Sequence, residues 1–287
     1  MIVTRTIDAT RDALAGPRTA GKTIGLVPTM GALHEGHLSL VDAARDGCDF
    51  VAVSIFVNPT QFAPSEDLDA YPRTPEMDLA ACEQRGVDLV FMPDVEDIYG
   101  EEALTKITVD ELSQSLCGRS RPSHFGGVCL IVAKLFNIFQ PDRAYFGAKD
   151  FQQVAILRRM ARDLDFPVEI VTCPIVREPD GLAMSSRNKY LSAEERRQAP
   201  ALHASLVAAR ERILRDRPPA QRIIEEIREF LAGEAPAGEI DYVQIVDPET
   251  LRDVQSTEGP VLVALAVRFG GARLIDNVLV DSPARRF

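Results

Sequence analysis

Short apolar runs alternate with amphipathic stretches through the first half of the chain. The runs are Ile24 to Val27, Phe50 to Val57, Val87 to Met92, Ala144 to Phe146 and Pro167 to Cys173. Bounded by turn residues, runs of this kind predict buried strands. Between them, Gly36 to Arg45, Pro75 to Arg85, Gly127 to Phe139 and Asp150 to Asp163 read as helices, after an N-terminal arm with a short helix at Asp8 to Leu14. Thr74 supplies an N-cap ahead of a proline at the first helical position, and Asp150 is a second N-cap candidate. Alternating strands and helices predict βαβ units and a mainly parallel, doubly wound α/β sheet. In such a sheet, ligands bind beyond the carboxyl ends of the strands.

Past about residue 177 the pattern changes. Ser192-Ala193-Glu194-Glu195 is a capping box that opens a long helix to about Arg215, and Pro218-Pro219 starts another through Leu231. Three β-rich runs follow, Asp241 to Val246, Val261 to Val267 and Ala272 to Val280. The expectation is a Rossmann-like domain over residues 1–176 and a smaller α+β domain over 177–287, the latter acting as a lid.

With 46% hydrophobic and 26% charged residues, the chain has the composition of a soluble globular protein. No apolar run approaches the roughly 20 residues of a membrane span, and no signal-peptide core follows Met1. A cytoplasmic protein with no membrane partner is expected. The 32 basic and 43 acidic residues give a net charge of −11, which opposes nucleic-acid binding and requires any phosphate site to be local. Five scattered cysteines with no Cys-x-x-Cys pair indicate neither a zinc site nor a disulfide framework.

Candidate chemistry gathers in four stretches that follow the apolar runs. The first is Pro28 to His37, in which a turn containing Gly31 leads to His34 and His37 at a predicted helix N-terminus. Unpaired N–H groups and the helix dipole favour an anion there, and an imidazole can donate to a transferring phosphoryl group. Water-bound helix-terminal histidines are the bland alternative. In the second stretch, Asn58 and Gln61 are neutral groups able to recognise a substrate hydroxyl or carboxylate, or simply members of an Asn-Pro turn. The third, Tyr145 to Gln153, carries Lys149 at a strand-to-helix junction. The fourth, Val176 to Asn188, holds Ser185, Ser186 and Arg187 beside Gly181, and no Gly-x-x-x-x-Gly-Lys-Ser/Thr occurs. Arg119 and Arg121 are open between anion contacts and solvated loop residues, and His124 is read as structural.

His34-Glu35-Gly36-His37 resembles the His-x-Gly-His element of the nucleotidyltransferase superfamily. The longer Pro28 to His37 stretch, Phe56 to Phe62, Gly147 to Gln153 and Met184 to Arg187 together resemble the pantothenate synthetases across nearly the whole chain. Ser123 departs from the glycine that the family often has there. The resemblance implies an ATP-dependent ligase that joins pantoate to β-alanine through a pantoyl adenylate, with Mg2+ accompanying ATP, in a homodimer. It implies His34, His37 and Lys149 as catalytic. It implies ATP contacts from Met30, Gly31, Ala32, Leu33, His34, Glu35, Gly36 and His37, from Gly147, Ala148, Lys149 and Asp150, and from Val176, Met184, Ser185, Ser186 and Arg187. Gln61 and Gln153 would bind pantoate with Asn58 in support, and metal ligands are left unassigned. A cytidylyl- or adenylyltransferase, or a non-catalytic nucleotide-binding α/β protein, is the alternative.

Overall fold

A six-stranded, all-parallel sheet organises the first part of the chain in the computed structural model, which describes residues 1–64, 66, 68–100 and 104–281. Asp67 lies outside the described residues, as do 282–287 of the expected second domain. The elements run β1 (Ile2–Thr4), α1 (Ile7–Thr19), β2 (Ile24–Thr29), α2 (Glu35–Gly47), β3 (Phe50–Ile55), α3 (Pro75–Gln84) and β4 (Leu89–Phe91). They continue with α4 (Val95–Tyr99), α5 (Cys117–Ser120), α6 (His124–Phe139), β5 (Arg143–Gly147), α7 (Phe151–Asp163) and β6 (Glu169–Cys173).

Strand order is β1-β4-β3-β2-β5-β6. From β2 the chain steps through α2 and α3 to β3 and β4 on one side, then returns to lay β5 on the other side of β2. Right-handed crossovers then put α2 and α3 on one face and α1, α6 and α7 on the opposite one. All six residues of β3 are buried, as a strand covered on both faces requires. Val51, Val53 and Ile55 join Val27, Leu40, Val41 and Ala44 in one core, while Phe91 meets Phe139 edge-on with ring centroids 5.8 Å apart. The reversal of direction between β2 and β5 is the topological switch point, where open α/β sheets take their ligands.

The chain divides into two compact units, one of Met1–Ser113, Ser120–Ala148 and Gln153–Pro174, the other of Gln114–Arg119, Lys149–Gln152 and the chain from Ile175 onward. The second unit contains α8 (Ala193–Gln198), α9 (Ala201–Asp216) and α10 (Ala220–Glu234). Its antiparallel sheet is β7 (Gly238–Val246), β8 (Val261–Phe269) and β9 (Ala272–Val280), in that order. Leu202, Leu206 and Ile213 of α9 and Ile223, Ile227 and Leu231 of α10 bury against Val243, Val263, Leu265 and Leu274 of this sheet. No helix among the described residues is long and apolar enough to cross a membrane.

Four local details differ from the sequence expectations. The N-terminal arm holds a strand, β1, paired with β4, its three residues too short to show a period. Pro28 lies within β2, where the ladder to β5 has already ended at Leu26 and a missing N–H costs little. The single helix expected from Ser192 to Arg215 is two, broken at Pro200, although the Ser192–Glu195 capping box forms. Neither proposed helix start is capped as expected: Thr74 makes no cap and donates instead to Asp78, and Asp150 sits in a 3-10 turn ahead of α7.

Candidate active site

The stretch after β2 is a turn closed on a buried carboxylate. Thr29 Oγ1 accepts from Gly31 N–H at 3.2 Å and donates to the Ser54 carbonyl at 2.8 Å. Gly31 has φ +80°, a conformation that strains any residue with a side chain, and a Cβ there would stand 3.0 Å from Asp78 Oδ2 and 3.1 Å from Ile55 Cγ2, so that one of them would have to give. Ala32 follows with φ +49°, a conformation uncommon for a residue with a side chain. The N–H groups of Ala32 and Leu33 donate to Asp78 Oδ2 and Oδ1 at 2.9 and 2.8 Å, and Asp78 is 2% exposed.

His34 and His37 then cap α2 reciprocally. His34 Nδ1 accepts from Gly36 N–H at 3.1 Å, and His37 Nδ1 accepts from His34 N–H at 3.4 Å. The rings lie 4.1 Å apart, tilted by 32°. Because each Nδ1 accepts, each ring is a neutral imidazole with its proton on Nε2, a tautomer assigned from the hydrogen-bond pattern. The expectation of unpaired N–H groups at this helix start is therefore met only in part, since His34, Gly36 and His37 N–H are engaged within the cap.

The loop after β3 is held on every side. Asn58 Nδ2 donates to Gln61 Oε1 and to the Gly127 carbonyl, both at 3.1 Å, while its Oδ1 accepts from Tyr99 OH at 2.6 Å and Thr60 Oγ1 at 2.9 Å. Asn58 is 1% exposed and Gln61 8%. Gln61 Nε2 donates to Met30 Sδ at 2.8 Å, which joins this loop to the histidine loop. The Gln61 carbonyl accepts from His124 Nδ1 at 2.9 Å and from Arg121 Nη2 at 3.3 Å. Arg121 also pairs with Glu66, its Nη2 2.7 Å from Oε2. Burial alone would raise the Glu66 carboxyl, but the hydrogen bonds from Arg121 and Ala63 N–H and the Arg121 charge outweigh it and hold the group below its ordinary value. Arg121 and His124 thus resolve as loop-positioning residues. In the second unit Arg119 lies 3.4 Å from Asp253 at the surface.

At the end of β5, Gly147 leads into a 3-10 turn of Ala148–Asp150. Lys149 Nζ lies 3.7 Å from Asp150 Oδ2, with 24% of its side chain exposed, and its carbonyl accepts from Asn277 Nδ2 at 2.9 Å. The adjacent glutamines divide their roles. Gln152 is buried and ties the Ser115 carbonyl and Cys117 N–H, whereas Gln153 is half-buried in the first turn of α7. Gln61 and Gln153 accordingly follow β3 and β5, the two strands that flank β2.

In the second unit, the Val176–Asn188 stretch is a narrow hairpin. Met184 N–H donates to the Val176 carbonyl at 3.0 Å, Arg177 bridges Ala183, and Gly181, with φ +94°, closes the turn onto the Glu178 carbonyl. Arg177 forks onto Asp276 at 2.7 and 3.0 Å, and Arg196 reaches both Glu178 and Asp180. Ser185 caps the 3-10 turn Ser186–Tyr190 through Arg187 N–H, and Asn188 Nδ2 donates to Glu178 Oε1 at 2.7 Å. A frame of ion pairs therefore carries the Met184 to Arg187 segment. Asp78, Tyr99 and Asn188 were not read from the sequence as site residues; each works through contacts that only the fold brings together.

The chain matches the family model described as pantoate-beta-alanine ligase over residues 2–279. It is 53% identical over 281 residues to the pantothenate synthetase of Acetivibrio thermocellus, covering 98% of this chain and 100% of that one. Among solved structures, the pantothenate synthetase of Thermus thermophilus superposes with a TM-score of 0.92 at 46% identity, covering 98% and 100% of the two chains. The pantoate-beta-alanine ligase of Francisella tularensis, complexed with beta-gamma ATP and beta-alanine, gives a TM-score of 0.79 at 34% identity, with 97% of each chain covered.

Proposed function

The chain belongs to the pantoate-beta-alanine ligase family, and from that premise we propose that it joins pantoate to β-alanine with conversion of ATP to AMP and pyrophosphate. A carboxylate is a poor acyl donor until one of its oxygens becomes part of a good leaving group. In the first step a pantoate carboxylate oxygen attacks the α-phosphorus and pyrophosphate leaves. In the second the neutral β-alanine amine attacks the acyl carbon of pantoyl adenylate, the acyl–oxygen bond breaks, and AMP leaves. No side chain forms a bond to substrate, so acceleration comes from alignment and from stabilising the charge that develops around the α-phosphate.

The observation that carries this reading is the Gln61 Nε2 to Met30 Sδ contact, which joins the histidine loop and the glutamine loop beyond β2 and β3. A thioether is a weak acceptor, so the Gln61 amide can transfer its N–H to a pantoate oxygen at small cost. Asn58 fixes the opposite end of that amide. His34 and His37 Nε2–H groups donate to the phosphate oxygens, with Met30 to Leu33 shaping the approach. Lys149, Ser185, Ser186 and Arg187 add donors and positive charge for the triphosphate, and Val176 lies by the adenine. Gln153 completes pantoate recognition.

ATP enters as its magnesium complex. Among the described residues no group of three or more His, Cys, Asp or Glu side chains is arranged to hold a metal ion, which fits an ion that takes most of its oxygen ligands from the triphosphate and water. The test is to incubate the protein with Mg-ATP, pantoate and β-alanine, omitting each in turn. Pyrophosphate from ATP and pantoate alone, and AMP with pantothenate only when β-alanine is added, is the expected result. With all three substrates present, a nucleotide-linked end product in place of AMP and pantothenate would overturn it.

A further inference from the structure

Building on the ligase reading above, we propose that Asp78, which lies on α3 and not on the histidine loop, is a positioning residue for adenylate formation: its carboxylate fixes the Gly31–Leu33 turn and thereby aims His34 and His37. Both oxygens are committed, Oδ2 to Ala32 N–H at 2.9 Å and Oδ1 to Leu33 N–H at 2.8 Å, with Thr74 Oγ1 donating to Oδ1 at 3.1 Å. These N–H groups belong to the two residues that immediately precede the His34 N-cap. They also follow or occupy the left-handed positions Gly31 and Ala32, so the grip falls where the backbone most needs an external hold.

The donor pattern explains why a carboxylate stands here. Two N–H groups pointing at one buried side chain require two acceptor oxygens, and burying the charge is tolerable because three donors converge on it. An asparagine of the same shape offers one oxygen and one NH2, so one backbone N–H would face a donor and the turn would have to move. Such a move travels directly into the His34 and His37 cap, whose Nδ1 contacts select the Nε2–H tautomers. Asp78 touches no substrate in this scheme. Its loss should therefore slow the chemical step far more than it weakens the binding of pantoate or ATP.

The experiment compares wild type, Asp78→Asn and His37→Ala in single-turnover pyrophosphate release from Mg-ATP and pantoate, normalised to folded protein by circular dichroism. Asp78→Asn should release pyrophosphate about 10- to 100-fold more slowly while the KM values for ATP and pantoate stay within about threefold, the signature of misplaced rather than missing groups. Side-chain 15N spectra give the second readout: both imidazoles protonated on Nε2 in wild type, and a mixture of tautomers in Asp78→Asn. Should Asp78→Asn fail to fold, Thr74→Val removes only one donor to Oδ1, and a drop of about 3- to 10-fold in the same rate at unchanged KM is expected. A folded Asp78→Asn, or failing that Thr74→Val, with the wild-type rate overturns the proposal. Wild type that releases no pyrophosphate defeats the ligase reading itself, whereas wild type active, His37→Ala slow and Asp78→Asn unimpaired defeats the positioning role alone.

Discussion

An imidazole that caps its own helix performs two tasks with one side chain, and substitution can separate them. His34→Asn keeps a good N-cap acceptor but removes the Nε2 donor. Pyrophosphate formation should fall on the order of 10²-fold, as for other preorganised donors to a developing anion, with the melting temperature nearly unchanged. His34→Ala should show the same loss of rate together with about 1 kcal/mol of lost stability. Rates within twofold of wild type in His34→Asn would contradict the donor role. For the glutamines, Gln61→Ala or Gln153→Ala should weaken pantoate binding by about 1–3 kcal/mol and leave ATP binding alone, as titration calorimetry would read. The histidines and glutamines were legible because each sits in a local signal, an apolar run followed by turn residues and a polar group. Asp78 was not: its partners lie 45 and 46 residues upstream, and in sequence it is one more acid in the first turn of a helix.

Between elements, α6 fits closely against the glutamine loop. A Cβ on Gly127 would stand 2.4 Å from the Thr60 carbonyl oxygen and 2.6 Å from Gln61 N, both backbone atoms that cannot step aside. Gly127→Ala should push the Asn58–Gln61 loop off its anchor, destabilise the protein by about 1–3 kcal/mol and raise the pantoate KM, which thermal melts and steady-state kinetics would show. In the second unit, His203 packs on the Gly181 turn, its Cδ2 2.7 Å from where a Cβ on that glycine would be. Burial and the Arg177 charge lower its pKa, with Asp276 opposing. The unfolded chain therefore binds the proton more readily, so stability should be lost as pH falls through the ordinary histidine value of 6.5. His203→Gln should flatten that loss in urea midpoints taken between pH 7.5 and 5; an unchanged slope would exclude His203 as its source. Strands β2 to β5 were readable because buried parallel strands are continuous apolar runs, whereas the edge strand β6 buries only Cys173, and the burial expected of its run was not met. β1 and the break at Pro200 were not readable, the first for want of length and the second because the helical period continues across the proline.

At the level of the molecule, the parallel sheet with its switch point at β2 and β5 follows from the alternation of runs and helices, while the assignment of Gln114–Arg119 and Lys149–Gln152 to the second unit does not. Those segments join it through contacts distant in sequence, such as Asn277 Nδ2 to the Lys149 carbonyl. A homodimer is the expected working form, so sedimentation should give about twice the 31.5 kDa chain mass, and a monomer mass at assay concentration would reject the dimer. In the proposed reaction a pantoate oxygen becomes bonded to the α-phosphorus before the amide forms. Pantoate carrying 18O at both carboxylate oxygens, turned over with Mg-ATP and β-alanine, tests it directly by mass spectrometry of the products. One labelled oxygen should appear in AMP and one should remain in the amide carbonyl of pantothenate; label in inorganic phosphate or pyrophosphate, or none in AMP, would contradict the account.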